Sequence, residues 1–260
     1  MTQDQSAAAF FARVSQDLMR EQEEAPTLQR VAERAVEIVG PVDHCGISLR
    51  RRRRRVETVA STSDLARQCD LLQYELGEGP CLEAVWDESS YLCPDTRTDR
   101  RWPRWGPRVA EAGIGSVLAI RLSTDKESLG ALNLYAVGAG AFTQDDVDLA
   151  LIYAAHATNA MSAARLVTGL TTAVQSRHLI GVAQGILMNH YGLGMQDAFE
   201  VLRRYSSQAN VKLRDIAQVV VDAGGLPDMH DVAHLRTEAS TAEDAGSPGP
   251  TESPTGTEPG

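Results

Sequence analysis

The sequence predicts an α+β fold, an antiparallel sheet with flanking helices, joined by a long helix to an all-α region of three helices. Two observations predict this fold. Short apolar segments occur as neighbouring pairs, at residues 44–49 with 56–60 and at 117–122 with 129–137, as in β-hairpins. From Thr143 onward, apolar residues recur every three or four positions, which is typical of helices. Strands paired as hairpins with helices outside them indicate an α+β fold, not parallel β/α units.

The segments around the hairpins read as short helices and one further strand. Residues 3–24 have helical composition, and a second helix is expected over 27–39, ended by Gly40 and Pro41. The first hairpin follows at once. Before the second hairpin, we expect helices at 65–74, 81–86 and 108–112, a strand at 91–93, and loops elsewhere, including the segment up to Pro107.

A capping box formed by Thr143 and Asp146 begins the long helix, which is expected from about 144 to about 189. One of its faces carries a repeat of mixed quality at Leu149, Ile152, His156, Asn159, Ala163, Leu166, Leu170 and Ala173. Up to residue 160 this face either packs on the sheet or pairs with a second copy of the chain. Over 163–174 the pattern favours pairing, because small and polar members suit a helix that specifies register in a dimer.

Two short helices complete the all-α region. A break at 191–194 is followed by a helix over 196–207 and another over 212–222, with Asn210 as the expected N-cap and Gly224 with Gly225 as the C-cap. Residues 227–260 are rich in Pro, Gly, Ser, Thr and acids without periodicity, which predicts a disordered acidic tail.

Composition excludes several classes of protein. No apolar run approaches the roughly 20 residues of a membrane helix, and the N-terminus lacks a secretory pattern, so a cytoplasmic location is expected. No G-x-S-x-G, HExxH or P-loop motif occurs, so no enzymatic activity is expected. The four cysteines (Cys45, Cys69, Cys81, Cys93) form no C-x-x-C pair and are expected to be free, buried thiols, with a redox or ligand role for Cys81 as the alternative.

The net charge of −10 is unevenly distributed. Residues 227–260 carry one Arg and seven acids, a net charge of −6, whereas residues 166–226 carry five basic and four acidic residues, a net charge of +1. Only the helical region is therefore basic on balance, and an acidic total does not exclude a nucleic-acid partner for it.

Three segments of the helical region carry a family resemblance: 176–188 (SRHLIGVAQGILM), 197–203 (DAFEVLR) and 206–217 (SSQANVKLRDIA). Together they closely resemble the ANTAR domain, a three-helix RNA-binding module of bacterial transcription antitermination regulators. The resemblance implies paired domains that read a pair of RNA hairpins near a terminator. Where the family usually has Ala-Lys-Gly, this chain has Gln184, which cannot neutralise a phosphate.

Residues 27–165 resemble a GAF domain of the actinobacterial kind that precedes ANTAR. The resemblance rests on 77–81 (GEGPC), 101–103 (RWP), 129–135 (LGALNLY) and 141–143 (AFT). It implies a ligand- or signal-sensing domain. The predicted organisation is a helical extension (1–26), a GAF-like domain (27–165), an ANTAR domain (166–226) and the acidic tail (227–260).

Candidate site residues follow in each domain. In the GAF-like domain, Cys81, Trp102 and Trp105 are candidates for contact with a small-molecule ligand, although aromatic residues are as easily core. In the helical domain, cationic side chains on all three helices could converge on RNA in a compact bundle; with Gln184, the candidates are Arg177, Arg203, Arg204, Lys212 and Arg214. The alternative for any one of them is a solvated surface position.

Six consecutive arginines, residues 50–55, fall at the expected tip of the first hairpin. A solvated tip that resists edge-to-edge pairing is the first interpretation. An auxiliary RNA contact is the second.

Together these patterns predict a signal-responsive, RNA-binding transcription regulator that acts as a homodimer. With a net charge of only +1 per helical domain, a single copy should bind RNA weakly. The alternative is a protein-interaction regulator whose helical domain serves only for dimerisation. Signal transfer is expected through the long helix over 165–172, where Gly169 is a weak point.

Overall fold

The computed structural model describes residues 3–51 and 55–227, with side-chain burial described from residue 9 onward. The chain divides into two compact units, Met1–Gly169 and Leu170–Gly260. The middle of the arginine run (52–54) and the predicted tail after Pro227 lie outside the described residues.

The first unit contains a five-stranded antiparallel sheet. Its strands are β1 (His44–Arg50), β2 (Val56–Ser61), β3 (Ser90–Cys93), β4 (Ser116–Ser123) and β5 (Ser128–Ala136). The strand order is β2-β1-β5-β4-β3, so both predicted hairpins are present and β5 joins them. The predicted α+β class is confirmed.

Five helices surround the sheet: α1 (Gln3–Leu18), α2 (Glu24–Ile38), α3 (Asp64–Leu76), α4 (Pro80–Trp86) and α5 (Trp105–Glu111). Helix α1 ends at Leu18, earlier than the expected helical segment 3–24, and two other helices begin earlier than the sequence predicts. Helix α2 includes Pro26 in its first turn, where a missing N–H breaks no intrahelical bond. Helix α5 includes Pro107 and starts where Glu78 accepts hydrogen bonds from the backbone N–H groups of Arg104 and Trp105 (2.5 and 2.7 Å).

The two faces of the sheet have different interiors. On β5, Leu132 and Leu134 pack in the apolar cluster that includes α1, α2 and the beginning of α6 (Gln144–Tyr191). The residues between them, Asn133 and Tyr135, are also fully buried but point to the opposite face, which α3, α4 and α5 cover. A strand buried on both faces explains the near-continuous apolar run of 129–136.

The long helix α6 packs on the first unit through a different repeat from the one predicted. The buried residues in its part up to residue 169 are Val147, Ala150, Tyr153, Ala154, Ala157, Thr158, Ala160, Met161 and Ala164. On the predicted repeat, Ile152 is 47% exposed, and Asn159 and Ala163 are exposed as well. The interpretation that the predicted face packs on the sheet is therefore wrong. The predicted capping box is present, since the Thr143 N–H donates to Asp146 (2.9 Å) and the Asp146 N–H donates to Thr143 (3.3 Å).

The second unit contains the end of α6, α7 (Met195–Ala209) and α8 (Leu213–Ala223) around a small apolar core. The predicted N-cap role of Asn210 is wrong. Asn210 has φ 53° and ψ 42° and ends α7 as its C-cap, while Lys212 occupies the N-cap position of α8 without a side-chain cap. Asparagine tolerates this left-handed conformation nearly as well as glycine, and such a C-cap leaves it unable to cap the next helix. The predicted C-cap Gly224 is confirmed, with φ 69°.

Candidate functional site

Five candidate RNA-contact residues lie at or near one end of the second unit. This is the end where α7 finishes and α8 begins. Lys212 and Arg214 lie in the first turn of α8, and Arg203 and Arg204 lie in the C-terminal half of α7. Arg177 belongs to the segment of α6 that packs beside the start of α8. We call this group (Arg177, Arg203, Arg204, Lys212 and Arg214) the cationic end; all five side chains are exposed.

Two surface depressions lie at the cationic end. A groove of about 530 Å³ runs between α6 and α8, lined by Ser176, His178, Leu179 and Arg214 among others. A second depression of about 390 Å³ on α7 is lined by Glu200, Arg203, Arg204, Ser207 and Gln208. Arg214 therefore borders the first depression, and Arg203 and Arg204 border the second. Sequence reasoning did not single out His178 in the groove, since an isolated histidine on a helix carries no signal of its own.

Acidic neighbours engage only part of the cationic end. Arg203 pairs with Glu200 (2.6 Å) and Arg214 pairs with Asp215 (3.0 Å). Both pairs are exposed, so each contributes little stability and competes weakly with a polyanionic ligand. Arg177, Arg204 and Lys212 form no ion pair with any residue that the structure describes.

Residues 166–226 contain two further acids, and both lie away from the cationic end. Asp197 is in the first turn of α7, and Asp222 is near the end of α8, where it accepts a hydrogen bond from Gln218 (2.8 Å). The net charge of +1 over residues 166–226 is therefore unevenly distributed along the three helices. The positive side chains at the start of α8 oppose the helix dipole, which makes them more useful to a bound anion than to the helix.

Gln184 is not part of the cationic end. Its side-chain amide donates to the backbone oxygen of Met195 (3.1 Å), which ties α6 to the start of α7. Arg177 and Gln184 are seven residues apart on α6, a rise of about 10 Å. The structure thus brings five of the six candidates toward the end where α7 finishes and α8 begins. Gln184 lies near the start of α7 instead.

In the first unit, the candidate ligand residues are packed inside. Trp102 and Trp105 are 1% and 0% exposed, with their rings edge to face at 5.9 Å. Their indole N–H groups donate to Glu83 (2.7 Å) and to the backbone oxygen of Cys69 (3.2 Å). Cys81 packs in a different cluster, against Ala119 and Ala131 of the sheet.

All four cysteines are free and buried, as predicted. Burial, together with the nearby Asp70 carboxylate, raises the pKa of the Cys81 thiol to about 12. The thiol is therefore protonated at neutral pH and is a poor nucleophile. A ligand role for Cys81, Trp102 and Trp105 stays a prediction.

Sequence reasoning missed a polar network under the same face of the sheet. The fully buried Asp70 on α3 accepts hydrogen bonds from Thr58 on β2 (2.9 Å) and from Asn133 and Tyr135 on β5 (2.7 and 2.5 Å). Ser48 on β1 joins by accepting from Asn133 (2.8 Å). The network links three strands and a helix through one carboxylate.

Burial raises the pKa of Asp70 to about 6, although the hydrogen bonds from Tyr135, Thr58 and Asn133 act in the opposite direction. An aspartate that is half-protonated near pH 6 is unusual in a protein interior and resembles the perturbed groups found at functional sites. The signal for it in the sequence is faint: Asn133 and Tyr135 alternate with leucines in the segment LGALNLY.

None of the helices in the described part of the chain has the length and apolar composition needed to cross a bilayer. Among the same residues, no group of His, Cys, Asp or Glu side chains is arranged to hold a metal ion.

Comparison with known proteins identifies both units. The GAF domain model matches residues 21–162, and the ANTAR domain model matches residues 168–221. No curated protein matches the chain.

Solved structures similar to the chain include the GAF domain of a phosphoenolpyruvate-protein phosphotransferase from Coxiella burnetii, at 17% identity and a TM-score of 0.51, covering 64% of this chain and 98% of that one. The GAF domain of the phosphotransferase from Acinetobacter is similar at 16% identity and a TM-score of 0.48, with 64% and 98% coverage. At such identities, the likeness to the first of these shows a shared fold alone.

Proposed function

Because this chain belongs to the GAF domain family and carries an ANTAR domain, we propose that it is a signal-responsive transcription antiterminator that binds hairpin RNA through its C-terminal three-helix unit. ANTAR domains are RNA-binding domains of antitermination regulators, and GAF domains are sensory. The observation that carries the proposal is the separation of charge over residues 166–226: the five cations lie toward one end, and the two acids outside ion pairs lie away from it.

The cationic end suits a folded RNA with exposed bases. Nucleic-acid affinity depends on neutralising phosphates, and arginine also offers a planar fork to phosphate oxygens and base edges. Arg204 and Lys212 are exposed and have no competing acidic partner among the described residues. Hairpin loops expose unstacked bases, so proteins can read them specifically.

We further propose that the chain acts as a homodimer. Leu166, Val167 and Leu170 of α6 are 63%, 41% and 60% exposed, which is costly for apolar side chains on a single face of a helix. Pairing this face with a second copy would bury them. A dimer would also present two three-helix units, so that two weakly binding domains could act together on paired hairpins.

The sensory side of the proposal concerns the first unit. A small molecule or a signalling partner would act there, with Cys81, Trp102 and Trp105 as the proposed ligand contacts. Since these three side chains are almost completely buried, ligand contact requires the packing around α4 and α5 to open.

The test compares two triple variants of the full chain. Arg204→Ala/Lys212→Ala/Arg214→Ala removes three cations of the cationic end, and the control Arg100→Ala/Arg108→Ala/Lys126→Ala removes three exposed cations of the first unit. The probe is a library of tandem-hairpin RNAs with randomised loops. We expect the wild type and the control to bind, with affinity falling steeply as salt rises.

The cationic-end variant should bind at least about tenfold more weakly, with a salt dependence reduced by about two charge contacts. Its oligomeric state should be unchanged. Equal RNA binding by both triple variants, or no binding by the wild type to any of these RNAs with or without a cell extract as a source of signal, would reject the proposal. Unchanged regulation by the cationic-end variant in cells would favour the alternative of a regulator that acts only through protein contacts.

A further inference from the structure

The cationic end has more positive charge than its own unit satisfies. Arg177, Arg204 and Lys212 have no ion-pair partner among residues 3–51 and 55–227, and the pairs of Arg203 and Arg214 are exposed. Exposed arginines and lysines are common, but here they share one end of the three-helix segment 166–226, whose acids outside ion pairs, Asp197 and Asp222, lie away from them. This end is therefore suited to an anionic ligand.

The chain supplies such a partner immediately after α8. Helix α8 ends at Ala223, and the Leu226 N–H donates to the Tyr191 hydroxyl (3.2 Å), which fixes where the described chain ends relative to α6. The following segment, residues 228–244, contains five acids and one arginine. Its acids are Asp228, Asp231, Glu238, Glu243 and Asp244.

We propose that the acidic segment 228–244 binds the cationic end of its own chain and competes there with RNA. Carboxylates and phosphates use the same guanidinium and ammonium donors, so the two ligands exclude each other. The contact itself does not depend on the proposed function. Its consequence, competition with RNA, rests on the proposed function.

The chain length allows this contact. Helix α8 has 11 residues, so its two ends are about 16 Å apart. Glu238 follows Pro227 by eleven residues, which can span up to roughly 36 Å. The later acids of the segment are therefore far enough along the chain to reach Lys212, Arg214 and Arg204.

Because the acidic segment is part of the same chain, weak contacts are sufficient for it to bind the cationic end. A segment attached by a short linker reaches an effective concentration in the millimolar range, so carboxylates of low intrinsic affinity can occupy the cationic end much of the time. RNA must then displace them, and its apparent affinity falls by the fraction of chains in which the surface is free. Salt weakens both interactions, because both are electrostatic.

The first experiment detects the contact without RNA. A neutral-tail variant of the full chain carries Asp228→Asn, Asp231→Asn, Glu238→Gln, Glu243→Gln and Asp244→Asn. Amide resonances of the wild type and of this variant are compared by NMR at low salt. We expect the largest differences at the cationic end, and we expect them to disappear at high salt. Differences confined to residues 222–227, beside the substitutions, would overturn the proposal.

The second experiment measures competition. The control variant neutralises five exposed acids of the first unit, Glu75→Gln, Glu88→Gln, Glu111→Gln, Asp125→Asn and Glu127→Gln, so that both variants change the net charge equally. At low salt, the neutral-tail variant should bind tandem-hairpin RNA at least about fivefold more tightly than the wild type, and the control should change the affinity by less than about twofold.

The outcomes of the two experiments separate the two proposals. Equal RNA affinity of the wild type and the neutral-tail variant overturns the competition. Equal gains in the neutral-tail and control variants also overturn it, because general charge repulsion would then be the cause. If no variant binds RNA, the proposed function fails and the competition fails with it, while the NMR comparison still decides whether the acidic segment contacts the cationic end.

Discussion

At the scale of single residues, Asp70 is the least expected feature of the molecule. A carboxylate is costly to bury, and three hydrogen bonds from Thr58, Asn133 and Tyr135 offset only part of that cost. The space around it is also tight, because a Cβ added to Gly46 would overlap the Asp70 carboxylate. The sequence could not predict this site, since its members lie on four elements that only the fold brings together.

The raised pKa of Asp70 predicts an unusual pH dependence of stability. Between the unfolded pKa of about 4 and the folded pKa of about 6, the folded state keeps a proton that the unfolded state has lost. Protonated Asp70 therefore contributes stability that is full below pH 4 and is lost as the pH rises through 6. Two pKa units correspond to on the order of 3 kcal/mol.

The measurement is the free energy of unfolding by urea at pH 4.5 and pH 7.5. In the wild type, the contribution of Asp70 to the free energy of unfolding should decrease between pH 4.5 and pH 7.5. Asp70→Asn should abolish this decrease. The control is Asp17→Asn: a hydrogen bond from Arg34 lowers the pKa of Asp17, so its contribution has the opposite sign and is lost as the pH falls. A ¹³C titration of the Asp70 carboxyl in the wild type is independent of any variant, and a midpoint below about pH 4.5 would contradict the prediction.

Residue identity predicted some positions well and others poorly, while the RNA-contact role of the cationic candidates stays a prediction. The cationic candidates came from the charge of 166–226 and from the family resemblance, and the fold brings five of them toward one end. Asn210 was misassigned because asparagine suits both an N-cap and a left-handed C-cap, and local sequence does not separate the two. Trp102 and Trp105 illustrate the same limit, since a buried aromatic side chain and a ligand contact have the same pattern.

At the scale of secondary structure elements, the sequence predicted every strand to within a residue or two and missed the starts of α2 and α5. Alternation and turn residues are local signals, so the strands were predictable. The start of α5 depends on Glu78, which is 26 residues earlier in the chain and caps the helix through space. No window of local sequence contains that contact.

The pairing of β1 with β5 predicts that substituting two different glycines by alanine has very different effects on stability. Gly130 of β5 lies against β1, where an added Cβ would overlap the backbone oxygen of Ser48 and neither strand could move without breaking their pairing. Gly130→Ala should therefore lower the free energy of unfolding by at least about 2 kcal/mol. Gly40 has no atom within 4 Å of an added Cβ, and Gly40→Ala should change stability by less than about 0.5 kcal/mol. Similar losses from both substitutions, measured by urea unfolding, would contradict this account.

At the scale of the whole molecule, α6 runs through both compact units, since the division at Gly169 falls within this helix. The sequence predicted the helix because its periodicity is continuous. It did not predict which face packs on the first unit, because two apolar repeats wind around the same helix and only the structure distinguishes the buried one. The exposed face with Leu166, Val167 and Leu170 carries the proposed dimer contact.

The exposed leucines of α6 predict a dimer that negatively charged substitutions at these positions would dissociate. Leu166→Asp/Leu170→Asp should raise the dimer dissociation constant at least about 100-fold, because burying each leucine contributes about 1.5–3 kcal/mol. The control Arg165→Asp changes the net charge by the same amount, but Arg165 lies about 100° and 140° around the helix from Leu166 and Leu170. Sedimentation equilibrium measures both. A wild type that is monomeric at micromolar concentration, or equal dissociation of both variants, would contradict the prediction.

The corner between α7 and α8 has a consequence for how such regulators can diverge. Asn210 is the one non-glycine residue with positive φ in the described chain, and paired hydrogen bonds between Ser206 and Val211 close the corner around it. Inserting or deleting a single residue here would disrupt these paired hydrogen bonds and change the position of Lys212 and Arg214 relative to Arg203 and Arg204. Mutations that change side chains can thus retune affinity gradually, whereas a change of length at this corner would alter the spacing of the cations in one step.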